Sequence, residues 1–221
     1  MLAKDLISDI VPALHTSDTG QKALNWMEVF RVSHLPIVNN QEFLGLISDT
    51  DIYDMNMAEE PIGNHKLSLF SPFIYADQHV YEVIALVARL KLTVVPVLDR
   101  EKNYLGLITN HDLIQYFADL TAVVNPGAIL VIELNQNDYS LAQIAQIVES
   151  NDASILSTYL RNHEDSTKMD LILKINRTDI ASLSQTFERY GYEIKASFME
   201  DREMETFYAD RYEEFMRYLN I

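Results

Sequence analysis

The feature that most limits what this chain can fold into is an internal repeat. Val11-Pro12-Ala13-Leu14-His15-Thr16-Ser17-Asp18 matches Ser71-Pro72-Phe73-Ile74-Tyr75-Ala76-Asp77, and His34-Leu35-Pro36-Ile37-Val38 matches Val94-Val95-Pro96-Val97-Leu98. Both proline pairs are 60 residues apart. A third block, Leu44-Gly45-Leu46-Ile47-Ser48-Asp49-Thr50-Asp51-Ile52, returns 61 residues later as Leu105-Gly106-Leu107-Ile108-Thr109-Asn110-His111-Asp112-Leu113. One residue inserted in the preceding turn accounts for the change of offset. Three blocks in the same order and register mean that one supersecondary unit has been written twice.

Each copy predicts the same elements. Ala23, Leu24, Met27 and Phe30 in one copy, and Val83, Ile84, Val87 and Leu90 in the other, have the three-to-four spacing of a helix with one buried face. Pro36-Ile37-Val38 and Pro96-Val97-Leu98 are short apolar runs ending in polar residues, as strands entering a hairpin do. Phe43 to Ile47 and Tyr104 to Ile108 are the returning strands, each followed by Ser or Thr and then by an Asp where a helix begins. The order per copy is β-α-β-β-α, and the two copies are expected to pack as a pair. The fold class is α/β (α+β), with repeats at 1–60 and 61–124.

Charge and composition remove several functions. The net charge is −16, with 16 acids against 8 bases in residues 1–125 and 17 against 9 in residues 126–221. Such a field repels phosphate backbones and anionic bilayers, so neither nucleic acid nor membrane is an expected partner. No apolar run reaches the ~20 residues of a membrane span. With no cysteine there are no disulfides, thiolate metal sites or cysteine nucleophiles. The chain reads as soluble and cytoplasmic.

A proline before the second strand, and a G-x-I-[ST]-x-x-D pattern closing the third, resemble the CBS domain family over about residues 1–120. The resemblance implies an adenosine ligand whose phosphate and ribose meet the hydroxyl and the Asp of that pattern. By position these are Ser48 and Asp51 in the first copy, and Thr109 and Asp112 in the second. A hydroxyl beside free N–H groups at a helix start suits an anion, and an Asp one turn on can accept both ribose hydroxyls. Adenine is placed between Leu14-His15 and His34-Leu35 in one site, and between Ile74-Tyr75 and Val94-Val95-Pro96 in the other. The same residues also read as helix caps. Asp49 and Asp54 crowd the first site, whereas the second has Asn110, His111 and nearby Lys66 and is favoured. His111 has no second His at ligand spacing and reads as a cleft residue. Asp49-x-Asp51-x-x-Asp54 lacks the glycine and distal glutamate of a calcium loop. No metal is expected.

Beyond Asn125-Pro126-Gly127, which marks a boundary and a hinge, the order becomes β-α-β-β-α-β, a split βαβ arrangement over 128–200. It resembles the ACT domain family, except that Tyr139 stands where that family's Asp-x-x-Gly has its glycine. A CBS pair followed by an ACT-like domain is similar to regulatory proteins of the acetoin-utilization type. Residues 201–221 read as a C-terminal amphipathic helix, with Met204, Phe207, Tyr208, Tyr212, Phe215, Met216 and Leu219 on one face. The expected function is regulatory sensing of AMP, ADP or ATP, without catalysis, by a homodimer acting on an unidentified regulated protein. The alternative is a dimerising scaffold whose nucleotide sites are degenerate.

Overall fold

The computed structural model describes residues 1–55, 58–65, 70–163 and 167–199. The chain forms two compact units that divide after Tyr116. Lys66 and the helix expected at 201–221 lie outside the described residues.

The first unit contains both repeats up to Tyr116, within their last helix. Copy one runs α1 (Gly20–Phe30), β1 (His34–Asn39), β2 (Glu42–Ser48) and α2 (Asp49–Met55). Copy two runs β3 (Ile74–Tyr75), α3 (Val80–Leu90), β4 (Val94–Leu98), β5 (Tyr104–Thr109) and α4 (Asn110–Leu120). The two first helices are matched even at their ends. Thr19 and His79 accept from backbone N–H groups at the starts, and Arg31 and Lys91 close them in the left-handed region. The antiparallel ladders β1–β2 and β4–β5 carry an irregularity at the same place, Ile37/Val38 and Val97/Leu98. The inserted residue lies in the second hairpin. Asn40 and Gln41, both at positive φ, close the first as a two-residue turn, while the second runs from Asp99 to Asn103.

The expected opening strand is shorter than the pattern suggested. In copy one it is a single parallel bridge between Leu14 and Ile37, and in copy two it is the two residues of β3. Side-chain acceptors end it in both cases: Asp18 takes the His15 N–H and Gln78 takes the Tyr75 N–H, turning the chain toward the helix.

The copies exchange their leading segments. Ser8 of the first bridges Leu107 on β5, and Phe70 of the second bridges Leu46 on β2. Gly106 makes one crossing possible. Its φ is +150°, and a Cβ there would lie 2.4 Å from Ile7 Cγ2. The shared core includes Leu14, Leu35, Ile37, Ile47, Val94, Val95, Leu107 and Ile108, all nearly without solvent contact.

The second unit contains β6 (Ala128–Asn135), α5 (Leu141–Glu149), β7 (Ile155–Asn162), β8 (Lys168–Ile175), α6 (Ala181–Arg189) and β9 (Glu193–Phe198). Its antiparallel sheet has the order β7-β8-β6-β9, the ferredoxin-like arrangement expected for the split βαβ pattern. Residues alternate along β6, with Ala128, Leu130, Ile132 and Leu134 buried in a core shared with Ile144, Ile147, Val148, Leu183 and Phe187 of the helices. Gly127, read from the sequence as a hinge, is needed for packing: a Cβ would fall 1.9 Å from the Ile175 carbonyl oxygen. Among the described residues, no helix is long and apolar enough to cross a membrane.

Candidate functional site

The two helix starts singled out by the sequence have one hydrogen-bond pattern. Thr109 donates to Asp112 Oδ2 from its N–H at 2.9 Å and from its hydroxyl at 2.6 Å, and Asp112 N–H returns a bond to Thr109 Oγ1 at 3.2 Å. Ser48 and Asp51 repeat this at 2.8, 2.7 and 3.1 Å. Each is a reciprocal capping box. The pair thus caps its helix, and it also fixes a hydroxyl and a carboxylate side by side with one carboxylate oxygen outside the box.

Their surroundings differ. Thr109 is buried and Asp112 half-buried, whereas Ser48 is half-buried and Asp51 exposed. Thr109, Asn110, His111 and Asp112 line a cleft of about 320 Å³. Its other walls are Ser8, Ile10 and Val11 from the leading segment of copy one, Phe30, Arg31 and Val32 at the end of α1, and Thr93. Asn110 turns its amide nitrogen to the Leu92 carbonyl at 3.0 Å, and among the described residues its buried Oδ1 has no partner. In copy one the equivalent Asp49 folds back, and its carboxylate accepts from the Thr50 N–H at 2.7 Å and hydroxyl at 3.3 Å. That helix start carries its own anion.

The apolar residues expected around the second site do not line this cleft. Ile74 pairs with Val97, at the far end of β4 from Thr109, and Tyr75 stacks edge-on with Phe73 under the Arg100 guanidinium. Val94 is Thr109's ladder partner but is fully buried, as are Val95 and Pro96. In copy one, Leu14 and Leu35 are core residues, and His15 donates from Nδ1 to the Val38 carbonyl at 2.7 Å. The exchange of leading segments gives the reason: the cleft at the start of α4 takes its apolar wall from copy one, which periodicity within one copy does not show. Arg31, Ile10, Val11, Phe30, Val32 and Thr93 line the cleft and were not singled out by the sequence. Two signals were present, since Arg31 and Lys91, and Ser33 and Thr93, also stand 60 apart.

Thr93 and Ser33 meet between the copies. Thr93 Oγ1 accepts the Ser33 N–H at 3.0 Å and lies 3.0 Å from His34 Nδ1. The Thr93 carbonyl receives the Asn110 N–H, and the Ser33 carbonyl receives that of Asp49, so both helix starts hang from this junction. Burial holds the His34 imidazole below its usual pKa, against the opposing pull of the Asp49 and Asp51 carboxylates. A neutral ring accepting the Thr93 hydroxyl proton fits that environment.

In the second unit, Tyr139 stands in place of the glycine of the Asp-x-x-Gly pattern and packs against the core at φ −70°. One face of the sheet holds a group spaced to embrace a cation: Glu133, His163 and Asp170. Lys195 Nζ stands 3.1 Å from Asp170 Oδ1 and 3.8 Å from Glu133 Oε2, and Lys168 pairs with Glu133. An ammonium thus already balances these acids. Burial pushes the Asp170 carboxyl up, but hydrogen bonds from His163 and Lys195 outweigh it and hold the pKa below the usual carboxylate range.

Comparison with known proteins places the first unit. Inosine-5′-monophosphate dehydrogenase of Methanocaldococcus jannaschii is 26% identical over 113 residues, 50% of this chain and 22% of that protein. The chain thus spans about a fifth of the length of this curated relative. Among solved structures, a CBS domain pair/ACT domain protein from Thermotoga maritima is 20% identical with a TM-score of 0.47, over 53% of this chain and 96% of that one. CBSX2, solved in complex with AMP, is 16% identical with a TM-score of 0.45, over 52% of this chain and 95% of that one. The CBS domain family model matches residues 3–58 and again residues 66–119. This half of the chain is a tandem pair of CBS domains, and it is to that family that the chain belongs.

Proposed function

We propose that the chain is a regulatory sensor of adenine nucleotides, with one working site in the cleft headed by Thr109 and Asp112. The observation that carries this reading is the position of the Thr109–Asp112 box, which opens into a cleft walled by both copies. Asp112 accepts ribose hydroxyls, Ile10, Val11 and Val32 offer an apolar surface to the base, and the phosphate faces the start of α4. A ligand there touches both copies at once, so binding favours one arrangement of the pair over another, which is what a switch requires. The Thr109 hydroxyl is held in the capping box by Asp112, so the pair is read as a binding element, and the reading is of binding without turnover.

The ACT-like unit is proposed to serve association or output. The whole is proposed to be a cytoplasmic homodimer that acts on a separate regulated protein. Light scattering at tens of micromolar should give a mass near twice the 25.4 kDa of one chain; a monomer would reject the dimer. A thermal-shift panel of adenosine compounds tests the central claim. A ligand at 100 times its Kd should stabilise the folded chain by about 2.7 kcal/mol. A panel with no shift, and no binding by calorimetry, would favour a scaffold with degenerate sites.

A further inference from the structure

The Thr109–Asp112 cleft has a definite charge, which limits how many phosphates it can hold. Arg31 is the one permanent cation among its lining residues. The chain as a whole carries a net charge of −16, so no diffuse positive field assists. A single guanidinium clamps one phosphate by a two-pronged hydrogen bond, and a second or third phosphate would meet no partner of that strength. The cleft of about 320 Å³ has room for a nucleoside-sized ligand, ligand pockets spanning roughly 300–1,000 Å³, so charge and not volume sets the number of phosphates.

Arg31 is well placed for this part. It closes α1 in the left-handed region at φ 56°, ψ 43°, with its N–H bonded to the Met27 carbonyl, so its stem leaves a fixed backbone. It belongs to copy one, whereas Thr109 and Asp112 belong to copy two. At the start of α4, Asn110 directs its amide away to Leu92 and stands where α2 has the carboxylate of Asp49, so Asp112 is the one acid of that first turn, against Asp49 and Asp51 in α2. The anion site, its guanidinium and the ribose-accepting carboxylate therefore converge from both copies.

Building on the proposed function, we infer that this cleft takes an adenosine ligand with a single phosphate, and that Arg31 is the residue that reads the phosphate. Di- and triphosphates carry charge the cleft cannot match, and adenosine alone leaves Arg31 without its anion.

Isothermal titration of the full chain with adenosine, AMP, ADP and ATP, in excess chelator to keep magnesium from masking phosphate charge, tests this. AMP should bind at least ten-fold more tightly than adenosine, with ADP and ATP progressively weaker than AMP. Arg31→Gln, at an exposed position, should reduce AMP to the affinity of adenosine while leaving adenosine within two-fold, and Arg31→Lys should restore part of the difference. ATP binding as tightly as AMP, or an Arg31→Gln protein that keeps its preference for AMP, would overturn the inference and leave the nucleotide-sensing reading intact. Failure of all four ligands to bind would overturn that reading, and the inference with it.

Discussion

The starts of α2 and α4 have the same hydrogen bonds and different prospects. Both are closed by a hydroxyl–carboxylate box with distances that agree within about 0.1 Å. Yet α2 has seven residues and an exposed Asp51, while α4 has eleven and a half-buried Asp112 facing a walled cleft. The first turn of α2 holds two acids, Asp49 and Asp51, whereas that of α4 holds Asp112 alone, with Asn110 in the place of Asp49. The lesson is that a motif conveys the cap, and its surroundings decide whether the cap is also a ligand site. Repetition of the motif shows that the architecture was duplicated without showing that the function was.

The comparison breaks most directly at the carboxylates. Asp112→Ala should weaken adenosine-ligand binding by about 1.5–3 kcal/mol, the scale of a hydrogen bond to a charged group. Asp51→Ala should leave it unchanged, and calorimetry on both proteins, with folding checked by circular dichroism, decides. Equal losses would mean that both copies bind. A second test addresses the exchanged segment that builds the cleft wall. Gly106→Ala must push Ile7 away, and overpacking with a strained φ should cost about 1–3 kcal/mol in urea unfolding. An unchanged midpoint would show that the crossing is loose.

Smaller effects separate capping from binding. Thr109→Ala and Ser48→Ala should each cost roughly 1 kcal/mol of stability as lost caps, and only the first should also reduce affinity. The smallest effect distinguishes His34 from its counterpart Val94. The His34 pKa is lowered in the folded chain, so the unfolded chain takes up a proton first as the pH falls. The contribution is complete above the ordinary value of 6.5 and is lost as the pH falls through it toward the folded value. His34→Val should remove that part of the slope between pH 7 and 5, and an unaltered slope would place the titrating group elsewhere.

Much of this was legible in the residues. The offset of 60 gave the paired copies, the Leu-Gly-Leu-Ile strands were found where expected, and the order after Gly127 gave the ferredoxin-like sheet. Thr109 and Asp112 were brought together because their spacing is local, three residues apart at a helix start. Ile74, Val94 and Val95 do not line the cleft at the start of α4; they look like any apolar strand, and nothing within one copy says which face its partner will cover. Arg31 escaped notice for a related reason: a basic residue at a helix C-terminus already has a sufficient local role. Long-range exchange is the part of a repeat protein that local periodicity does not encode.

That exchange also bears on how the chain is made. The leading segment of copy one bridges β5 at Leu107, and the segment that copy two lends to β2 bridges it at Phe70. A ribosome adding about 5–20 residues per second therefore leaves Ser8 without its partner for seconds, until Leu107 has emerged. During that interval the first copy is a hairpin with an unpaired edge, a surface that other nascent chains can join. A gene cut between the copies would yield two fragments that each lack the bridge the other supplies. The excess of acids over bases, 16 against 8 in residues 1–125, repels like chains during that interval.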